Sequence, residues 1–133
     1  MTAHRQVYLS GPIANVNPIG AQLWREQATK RLLAKGCTVF NPALPHVAEP
    51  TIEHVEADIT AIMDSAIILA HVPPHIQCCG TAMEIFYASY VMDLPVVVWT
   101  GNPFSPCSVW IRIYATNVYP TLEKAIDAVV QRA

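Results

Sequence analysis

One carboxylate stands out because almost everything around it is apolar. Glu84 lies in the segment GTAMEIFYA, residues 80–88, and no lysine or arginine occurs between residues 82 and 88. The segment is typical of the start of a buried helix. A glutamate at this place has two interpretations, one structural and one chemical.

The structural interpretation is a helix cap. Thr81 and Glu84 match the Thr-x-x-Glu capping box, in which the glutamate side chain bonds back to the backbone of Thr81. The chemical interpretation is a nucleophile, because the partial positive charge of a helix start would keep the carboxylate ionised. An ionised carboxylate without a cationic partner, in an apolar cleft, suits attack on an anomeric carbon. Spacing alone does not decide between the two.

Two further side chains could act with this carboxylate. Tyr8 alternates with Val7 and Leu9 in a short apolar segment, so core packing is the simpler interpretation, although its hydroxyl could hydrogen-bond a carboxylate. Asp58 flanks the apolar stripe of a predicted helix. A solvated helix position is the simpler interpretation of Asp58, and a place in the pocket stays open.

The turn after the first apolar segment could also contact a ligand. Ser10, Gly11 and Pro12 follow one another there and offer a hydroxyl and backbone N–H groups. The turn is not a P-loop, because no Gly-Lys-Ser/Thr follows it. The chain also lacks G-x-S-x-G and G-x-G-x-x-G, which weakens a serine hydrolase or a dinucleotide-binding interpretation.

A metal site is not expected. His71, His75, Cys78 and Cys79 are close in sequence, but the two cysteines are adjacent and prolines interrupt the group, which spoils the spacing of zinc ligands. We therefore expect no metal.

The remaining chain predicts elements that alternate between strand and helix. Asn17 and Pro18 form an N-cap followed by proline at the first helical position, and Gly36 ends that helix. Strands are predicted over residues 6–10, 37–40, 66–72, 96–99 and, more weakly, 115–118. Helices are predicted over residues 17–35, from 51 to Asp64, 80–92, around Trp110 and over 121–130, with a proline-rich loop over 42–50.

Strands that are apolar throughout and alternate with helices predict a parallel sheet covered on both faces. We therefore expect an α/β fold of three layers and about five strands, with residues 1–133 forming a single domain. In such sheets the ligand lies beyond the carboxyl ends of the strands. Here those ends are residues 10–12, 41–42, the loop after Val72, and 100–102.

The composition limits the classes of partner that we expect for this protein. Charged residues make up 14% of the chain, hydrophobic residues 53%, and the net charge is −2, so neither nucleic acid nor a membrane is an expected partner. No apolar run approaches the roughly 20 residues that span a bilayer, and residues 1–6 do not resemble a signal peptide. Four cysteines without a C-x-x-C pattern are expected to be reduced thiols, which indicates the cytoplasm. The low charge content is compatible with a homo-oligomer.

Four segments carry a resemblance to a known family. VYLSGPI at 7–13, GCTVFNP at 36–42, AIILA at 66–70 and GTAMEIFYA at 80–88 resemble, in order and spacing, the nucleoside 2-deoxyribosyltransferase superfamily. That superfamily includes 2′-deoxynucleoside 5′-phosphate N-hydrolases and CMP N-glycosidases. The resemblance covers roughly residues 6–120. It implies a flavodoxin-like sheet and a double displacement that needs no cofactor.

The resemblance also implies roles for individual residues. Glu84 falls on the nucleophile that attacks C1′ of a 2′-deoxynucleoside, Tyr8 on the tyrosine that orients it, and Asp58 on the aspartate that assists proton transfer to the base. Asn117 resembles an asparagine that reaches into the site of a neighbouring subunit, and the resemblance suggests dimers assembled into a hexamer. The candidate substrate-binding residues are Ser10, Gly11, Pro12, Cys78, Gly80, Met83 and Asn117.

One departure from the family pattern affects the substrate. The transferases place an aspartate six residues before the nucleophile, where this chain has Cys78. Deoxyribosyl transfer between nucleobases is the leading prediction, because residues 11–18 hold no cation for a phosphate. Hydrolysis of nucleoside 5′-monophosphates stays open, since Ser105, Ser108 and Arg112 could bind a phosphate from a neighbouring subunit. A non-catalytic nucleotide-binding module is the third alternative.

Overall fold

The computed structural model describes residues 5–13, 16–43, 50–104 and 107–132, which form five strands and five α-helices in alternation. The strands are β1 (Gln6–Ser10), β2 (Thr38–Phe40), β3 (Ile67–His71), β4 (Val96–Trp99) and β5 (Asn117–Tyr119). The helices are α1 (Pro18–Ala34), α2 (Ile52–Met63), α3 (Cys79–Phe86), α4 (Val109–Tyr114) and α5 (Leu122–Arg132), and a π-helical turn, Tyr87–Val91, continues α3. Most of the predicted proline-rich loop, residues 44–49, lies outside the described residues.

All neighbouring strands of the sheet are parallel. Their order is β2-β1-β3-β4-β5, the order typical of flavodoxin-like folds. Ser10 is aligned with Ala70, and Ala70 with Val98, so the carboxyl ends of the three central strands meet at one edge. The predicted five-stranded parallel sheet is confirmed, and so is the edge at which a ligand site is expected.

The two faces of the sheet carry separate cores, because successive strand residues point to opposite faces. One core lies against α1 and α5 and includes Leu9 and Ile126. The other lies against α2, α3 and α4 and includes Tyr8, Ile62 and Ile85. The predicted three-layer arrangement is therefore confirmed. Glu84 belongs to the layer formed by α2, α3 and α4.

The ends of the first helix follow from local chemistry. Asn17 caps α1, because its side-chain oxygen accepts a hydrogen bond from the N–H of Ile19 at 2.9 Å. Pro18 occupies the first helical position. After the helix, Gly36 adopts a φ of 85°, which a residue with a side chain rarely takes. Both predicted ends of α1 are confirmed.

The other helices match their predictions to within a few residues. Helix α2 ends at Met63 with Asp64 as its C-cap, and α5 begins one residue after the predicted position. The segment predicted over 80–92 is α3 with its π-helical continuation. Among the described residues, no helix combines the length and apolar character that crossing a bilayer requires.

Candidate active site

The carboxylate of Glu84 is held by two hydroxyls from the first strand. The hydroxyl of Tyr8 donates a hydrogen bond to Oε2, and that of Ser10 donates to Oε1 at 2.8 Å. Tyr8 and Ser10 are two residues apart in β1, so their side chains point to the same face of the sheet. Helix α3 packs on that face and brings Glu84 to them. Each oxygen of the carboxylate thus has its own donor.

The capping-box interpretation of Glu84 is wrong. Helix α3 begins at Cys79 with Cys78 at the N-cap position, so Thr81 lies inside the first turn and is buried. Glu84 is the sixth residue of the helix, counted from Cys79, and its side chain contacts β1 instead of the backbone of Thr81. The helix starts earlier than the sequence pattern indicated, and the two strand hydroxyls bind both carboxylate oxygens.

Burial, and not the helix start, governs the charge state of Glu84. The pKa of this carboxyl group is raised from 4.5 to about 7; withdrawal from solvent is the largest cause of the rise, and the charge of Asp58 also contributes to it. The hydrogen bonds from Tyr8 and Ser10 and the charge of Arg25 lower the pKa. The expectation that the helix start keeps Glu84 ionised is therefore wrong, because the macrodipole acts within the first turn only. A carboxyl group with this pKa is divided between its two forms near neutral pH.

Both interpretations of Tyr8 hold at once. Its ring is fully buried and stacks on Phe40 with 5.5 Å between ring centroids. Its hydroxyl nevertheless reaches Glu84. Burial and the neighbouring charge of Glu84 raise the pKa of the Tyr8 phenol, so the hydroxyl stays protonated and acts as a donor.

Asp58 lies close enough to Glu84 to affect it electrostatically. The side chain is half-buried on α2, and its charge raises the pKa of both Glu84 and Tyr8. Burial raises the pKa of Asp58 itself, while His54 on the same helix lowers it. The structure therefore joins Tyr8 on β1 directly to Glu84 on α3, and the charge of Asp58 on α2 acts on both.

Arg25 is a member of this region that the sequence analysis missed. It is fully buried on α1, and its positive charge lowers the pKa of Glu84. Among the described residues Arg25 forms no salt bridge with Glu84, so the carboxylate lacks a directly bound cationic partner, as expected, but a buried cation acts on it electrostatically. A signal was present in the sequence, because Arg25 occupies the same helical stripe as Ala28 and Leu32, both buried. A charge inside an apolar stripe marks a cation that the fold buries.

Of the predicted turn residues, Ser10 alone has a described contact with Glu84, while Gly11 and Pro12 are buried beside it. A side chain at Gly11 would lie 3.0 Å from the indole of Trp24 and 3.3 Å from the guanidinium of Arg25. A larger residue at this position would crowd both side chains of α1, which would have to shift to admit it.

A large cleft lies on the other flank of α3. It has a volume of about 510 Å³, and its lining includes Pro73, Cys78, Cys79, Ala82, Trp110 and Ile111. Ala82 and Glu84 are two residues apart, so they project about 200° apart around the helix. Glu84 does not line this cleft, and neither does any lysine, arginine, aspartate or glutamate that the structure describes.

Three further predicted substrate-binding residues, Gly80, Met83 and Asn117, are exposed. Gly80 is exposed in the first turn of α3, and Met83 projects outward with 73% of its surface exposed. Asn117 begins β5, three strands from β1 at about 4.8 Å per strand, and is exposed. The structure does not bring Asn117 to the Glu84 of its own chain, so its contact with a neighbouring subunit stays a prediction.

His71, near the end of β1, is not positioned as a metal ligand. His71 stacks on Trp99 with 3.7 Å between ring centroids, and burial lowers its pKa to about 4, so the ring is neutral. Within the described ranges, no group of three or more histidine, cysteine or carboxylate side chains is arranged to hold a metal ion.

The chain shares its fold with 2-deoxyribosyltransferases. The enzyme from Bacillus psychrosaccharolyticus superimposes with a TM-score of 0.73 at 21% identity over 94% of this chain and 95% of that one. A 2-deoxyribosyltransferase from Leishmania mexicana gives 0.75 at 17% identity over 96% and 97%. A CMP N-glycosidase from Clostridium botulinum gives 0.65 at 17% identity over 94% and 98%.

Sequence comparison adds nothing to this structural similarity. No protein-family model matches the chain, and no curated protein matches it either. The structural neighbours confirm, at the level of the fold, the resemblance that the four sequence segments predicted.

Proposed function

We propose that the protein transfers a 2-deoxyribosyl group between nucleobases, with Glu84 as the nucleophile. The observation that carries the proposal is the arrangement of the Glu84 carboxylate, whose two oxygens accept hydrogen bonds from Tyr8 and Ser10 at the carboxyl end of β1. This fixes the orientation of the carboxylate, and its pKa of about 7 provides an ionised fraction at neutral pH.

The first half-reaction replaces the base with the enzyme. One oxygen of Glu84 forms a bond to C1′ of the deoxynucleoside while the bond from C1′ to the base nitrogen breaks. The electron pair of that bond goes to the base, and Asp58 supplies the proton that neutralises it. Asp58 acts as the general acid of this step.

The second half-reaction releases the enzyme. A nitrogen of a second base forms a bond to C1′ while the ester bond to Glu84 breaks, and the electron pair returns to the carboxylate. The incoming base gives its proton to Asp58, which restores the starting state. Tyr8 and Ser10 again bind the carboxylate as its charge reappears.

Free nucleosides fit the surroundings better than nucleoside monophosphates. No lysine or arginine occurs in residues 11–18, and none of the described residues that line the large cleft is a lysine or arginine. The guanidinium of Arg25 is buried and already bonded to backbone carbonyls. A dianionic phosphate would therefore lack a strong partner within one described chain.

Hydrolysis of a nucleoside 5′-monophosphate is the second candidate. One structural neighbour is a CMP N-glycosidase, and Arg112 lines a smaller pocket of about 340 Å³ beside the large cleft. Ser108 caps α4 by accepting a hydrogen bond from the N–H of Trp110, so its hydroxyl hydrogen is still available. Ser105 lies outside the described residues.

We further propose that the protein is a homo-oligomer, dimer-based and compatible with a hexamer. Apolar side chains are exposed on the three helices that cover the Glu84 face of the sheet. They include Ile52, Val55 and Met63 on α2, Met83 on α3, Tyr90 on the π-helical turn, and Trp110 and Ile113 on α4. Their burial in a subunit interface would cover this face of the protein with a neighbouring copy.

The experiment is a base-exchange assay with deoxyadenosine and cytosine. Formation of deoxycytidine is the expected result. Free deoxyribose without exchange, or turnover of 5′-monophosphates alone, would indicate the hydrolase instead. Binding without any turnover of nucleosides or monophosphates would contradict an enzymatic function and support the non-catalytic module.

A further inference from the structure

Arg25 is buried although it is charged and has no ion-pair partner in the part of the chain that the structure describes. None of its surface is exposed, and its Nε atom lacks a hydrogen-bond partner there. The salt bridge found among the described residues joins Arg31 and Asp127 at the surface. Burying a charge without a counter-charge costs several kcal/mol, so an arginine at this position calls for an explanation.

The guanidinium of Arg25 connects α1 to the end of β1. Its Nη1 donates a hydrogen bond to the carbonyl oxygen of Ala21 at 3.0 Å, within its own helix. Its Nη2 donates to the carbonyl oxygen of Gly11 at 2.9 Å. The same group lies 4.8 Å from the ring centroid of Trp24. The guanidinium is therefore fixed at both terminal nitrogens, Nη1 and Nη2, and packs on the ring of Trp24 along one face.

The Gly11 carbonyl is directly adjacent to the site. Gly11 follows Ser10, whose hydroxyl binds Oε1 of Glu84 at 2.8 Å. A side chain at residue 11 would lie 3.3 Å from Nη2 of Arg25. The absence of a side chain there lets the guanidinium reach the turn. Arg25, Gly11, Ser10 and Glu84 thus form one continuous chain of contacts.

We propose that Arg25 is a positioning residue for Glu84. By binding the Gly11 carbonyl, it fixes the turn from which Ser10 holds the carboxylate. Among the described residues Arg25 forms no salt bridge with Glu84, so both oxygens of the carboxylate stay bound to β1. The description of Glu84 as a nucleophile rests on the proposed function, whereas the positioning itself does not.

The electrostatic relation between the two groups agrees with this geometry. Burial lowers the pKa of Arg25 to about 10, so it remains a cation at neutral pH, and the charge of Glu84 raises that pKa. Arg25 in turn lowers the pKa of Glu84. The groups that act on Glu84 from the surrounding elements are Tyr8 and Ser10 on β1, Asp58 on α2 and Arg25 on α1. Arg25 is the cation among them.

A cation at this place would assist both half-reactions. It favours the ionised carboxylate that attacks C1′, and it stabilises the same carboxylate when the ester bond breaks. A direct ion pair would compete with the substrate for an oxygen. A guanidinium that binds the neighbouring backbone stabilises the charge and leaves the oxygens accessible.

The test compares Arg25→Met and Arg25→Lys with a control, Arg31→Met, in which an exposed arginine of the same helix is changed. The first measurement is the pKa of Glu84. It is determined by carbon NMR of protein labelled at the glutamate carboxyl carbons, and the signal of Glu84 is assigned by its absence in Glu84→Gln. In Arg25→Met this pKa should rise above its wild-type value, while in Arg31→Met it should not change. An Arg25→Met protein that is folded and keeps the wild-type pKa would overturn the proposal.

The second measurement is the base-exchange rate. Arg25→Met should lower kcat by about 100-fold or more, and Arg25→Lys, which keeps the charge but not the planar fork, by about 10-fold with KM little changed. If Arg25→Met does not fold, Arg25→Lys decides, and a wild-type kcat in that variant would overturn the proposal. If the wild-type protein shows no base exchange but the pKa of Glu84 rises in Arg25→Met, the result would support the positioning role and contradict the proposed function.

Discussion

The two flanks of α3 differ in what they offer a ligand. On one flank Glu84 faces β1, and both of its oxygens accept hydrogen bonds from strand hydroxyls. On the other flank Cys78, Cys79 and Ala82 face a cleft of about 510 Å³ whose described lining holds no charged carboxylate, lysine or arginine. One flank has a fixed reactive group and the other has open, largely apolar space.

This difference separates the candidate reactive group from the large cleft. Burial raises the pKa of two cysteines that line this cleft, Cys78 and Cys107, but no side chain there has the pair of hydrogen bonds that holds Glu84. Perturbed ionisable groups with named partners are the better indicator of a reactive site. The substitutions below test whether the two flanks are functionally as distinct as they are structurally.

The largest effect is expected at Glu84. Glu84→Gln keeps the size of the side chain and removes the nucleophile, so base exchange should fall by about 10⁴-fold or more. The measurement is the initial rate of deoxycytidine formation. Glu26→Gln, an exposed position on α1, is the matched control and should retain the wild-type rate. A rate of base exchange in Glu84→Gln close to that of the wild type would refute the assignment of Glu84 as the nucleophile.

A smaller loss is expected when one donor is removed. Tyr8→Phe keeps the ring on Phe40 but deletes the hydrogen bond to Glu84, which should lower kcat by about 10²- to 10³-fold. In the wild type, kcat/KM should decrease as the pH falls below about 7, because Glu84 becomes protonated. Loss of the hydrogen bond raises the pKa of Glu84, so this decrease should begin at higher pH in Tyr8→Phe. Tyr90→Phe, at an exposed tyrosine, should leave the profile unchanged.

The cost of burying Glu84 should appear in the stability of the protein. Its pKa is about 7 in the folded protein against an ordinary value of 4.5, so its contribution to stability is complete below pH 4.5 and is lost as the pH rises through 7. Glu84→Gln has no carboxyl group that titrates. Relative to the wild type, its free energy of unfolding should therefore increase by up to about 3 kcal/mol between about pH 4 and about pH 8.

Urea unfolding of the two proteins at both pH values measures this difference, with Glu26→Gln as the reference. A difference in the free energy of unfolding that stays constant with pH would mean that Glu84 keeps an ordinary pKa in the folded protein. The first flank would then be less distinctive than its geometry indicates.

The smallest effect is expected on the other flank. Ala82→Leu fills part of the large cleft without contacting Glu84, and Cys78→Ser changes only the thiol at its edge. We expect kcat to change by less than about threefold in both, with any larger change confined to KM. Steady-state kinetics of base exchange measure the two parameters separately. A loss of kcat in Ala82→Leu comparable to that in Tyr8→Phe would show that the flanks act as one site.

Local signals in the sequence were enough for the elements of the fold. Asn17, Pro18 and Gly36 mark the ends of α1 through caps that involve only nearby residues. The apolar runs at residues 6–10 and 66–72 identify central strands because both of their faces are buried. These features depend on contacts close in sequence or on burial, and both leave a pattern in the chain.

The contacts of the site are not local, and the sequence analysis was weaker there. The capping box was a reasonable local pattern, but Glu84 contacts Tyr8 and Ser10, which lie more than 70 residues earlier. Arg25 was missed because an arginine in a helix is usually solvated, and only the closeness of Gly11 to α1 explains its burial. The expected contact of Asn117 requires a second chain, so one chain cannot reveal it.

The most direct test of the central claim is the detection of the covalent intermediate. The protein is mixed with deoxyadenosine, quenched in acid within the first turnovers, digested with pepsin and analysed by mass spectrometry. We expect a deoxyribosyl adduct on the peptide that contains Glu84, and no adduct in Glu84→Gln. An adduct on a different peptide, or one that persists in Glu84→Gln, would contradict the role of Glu84 as the nucleophile.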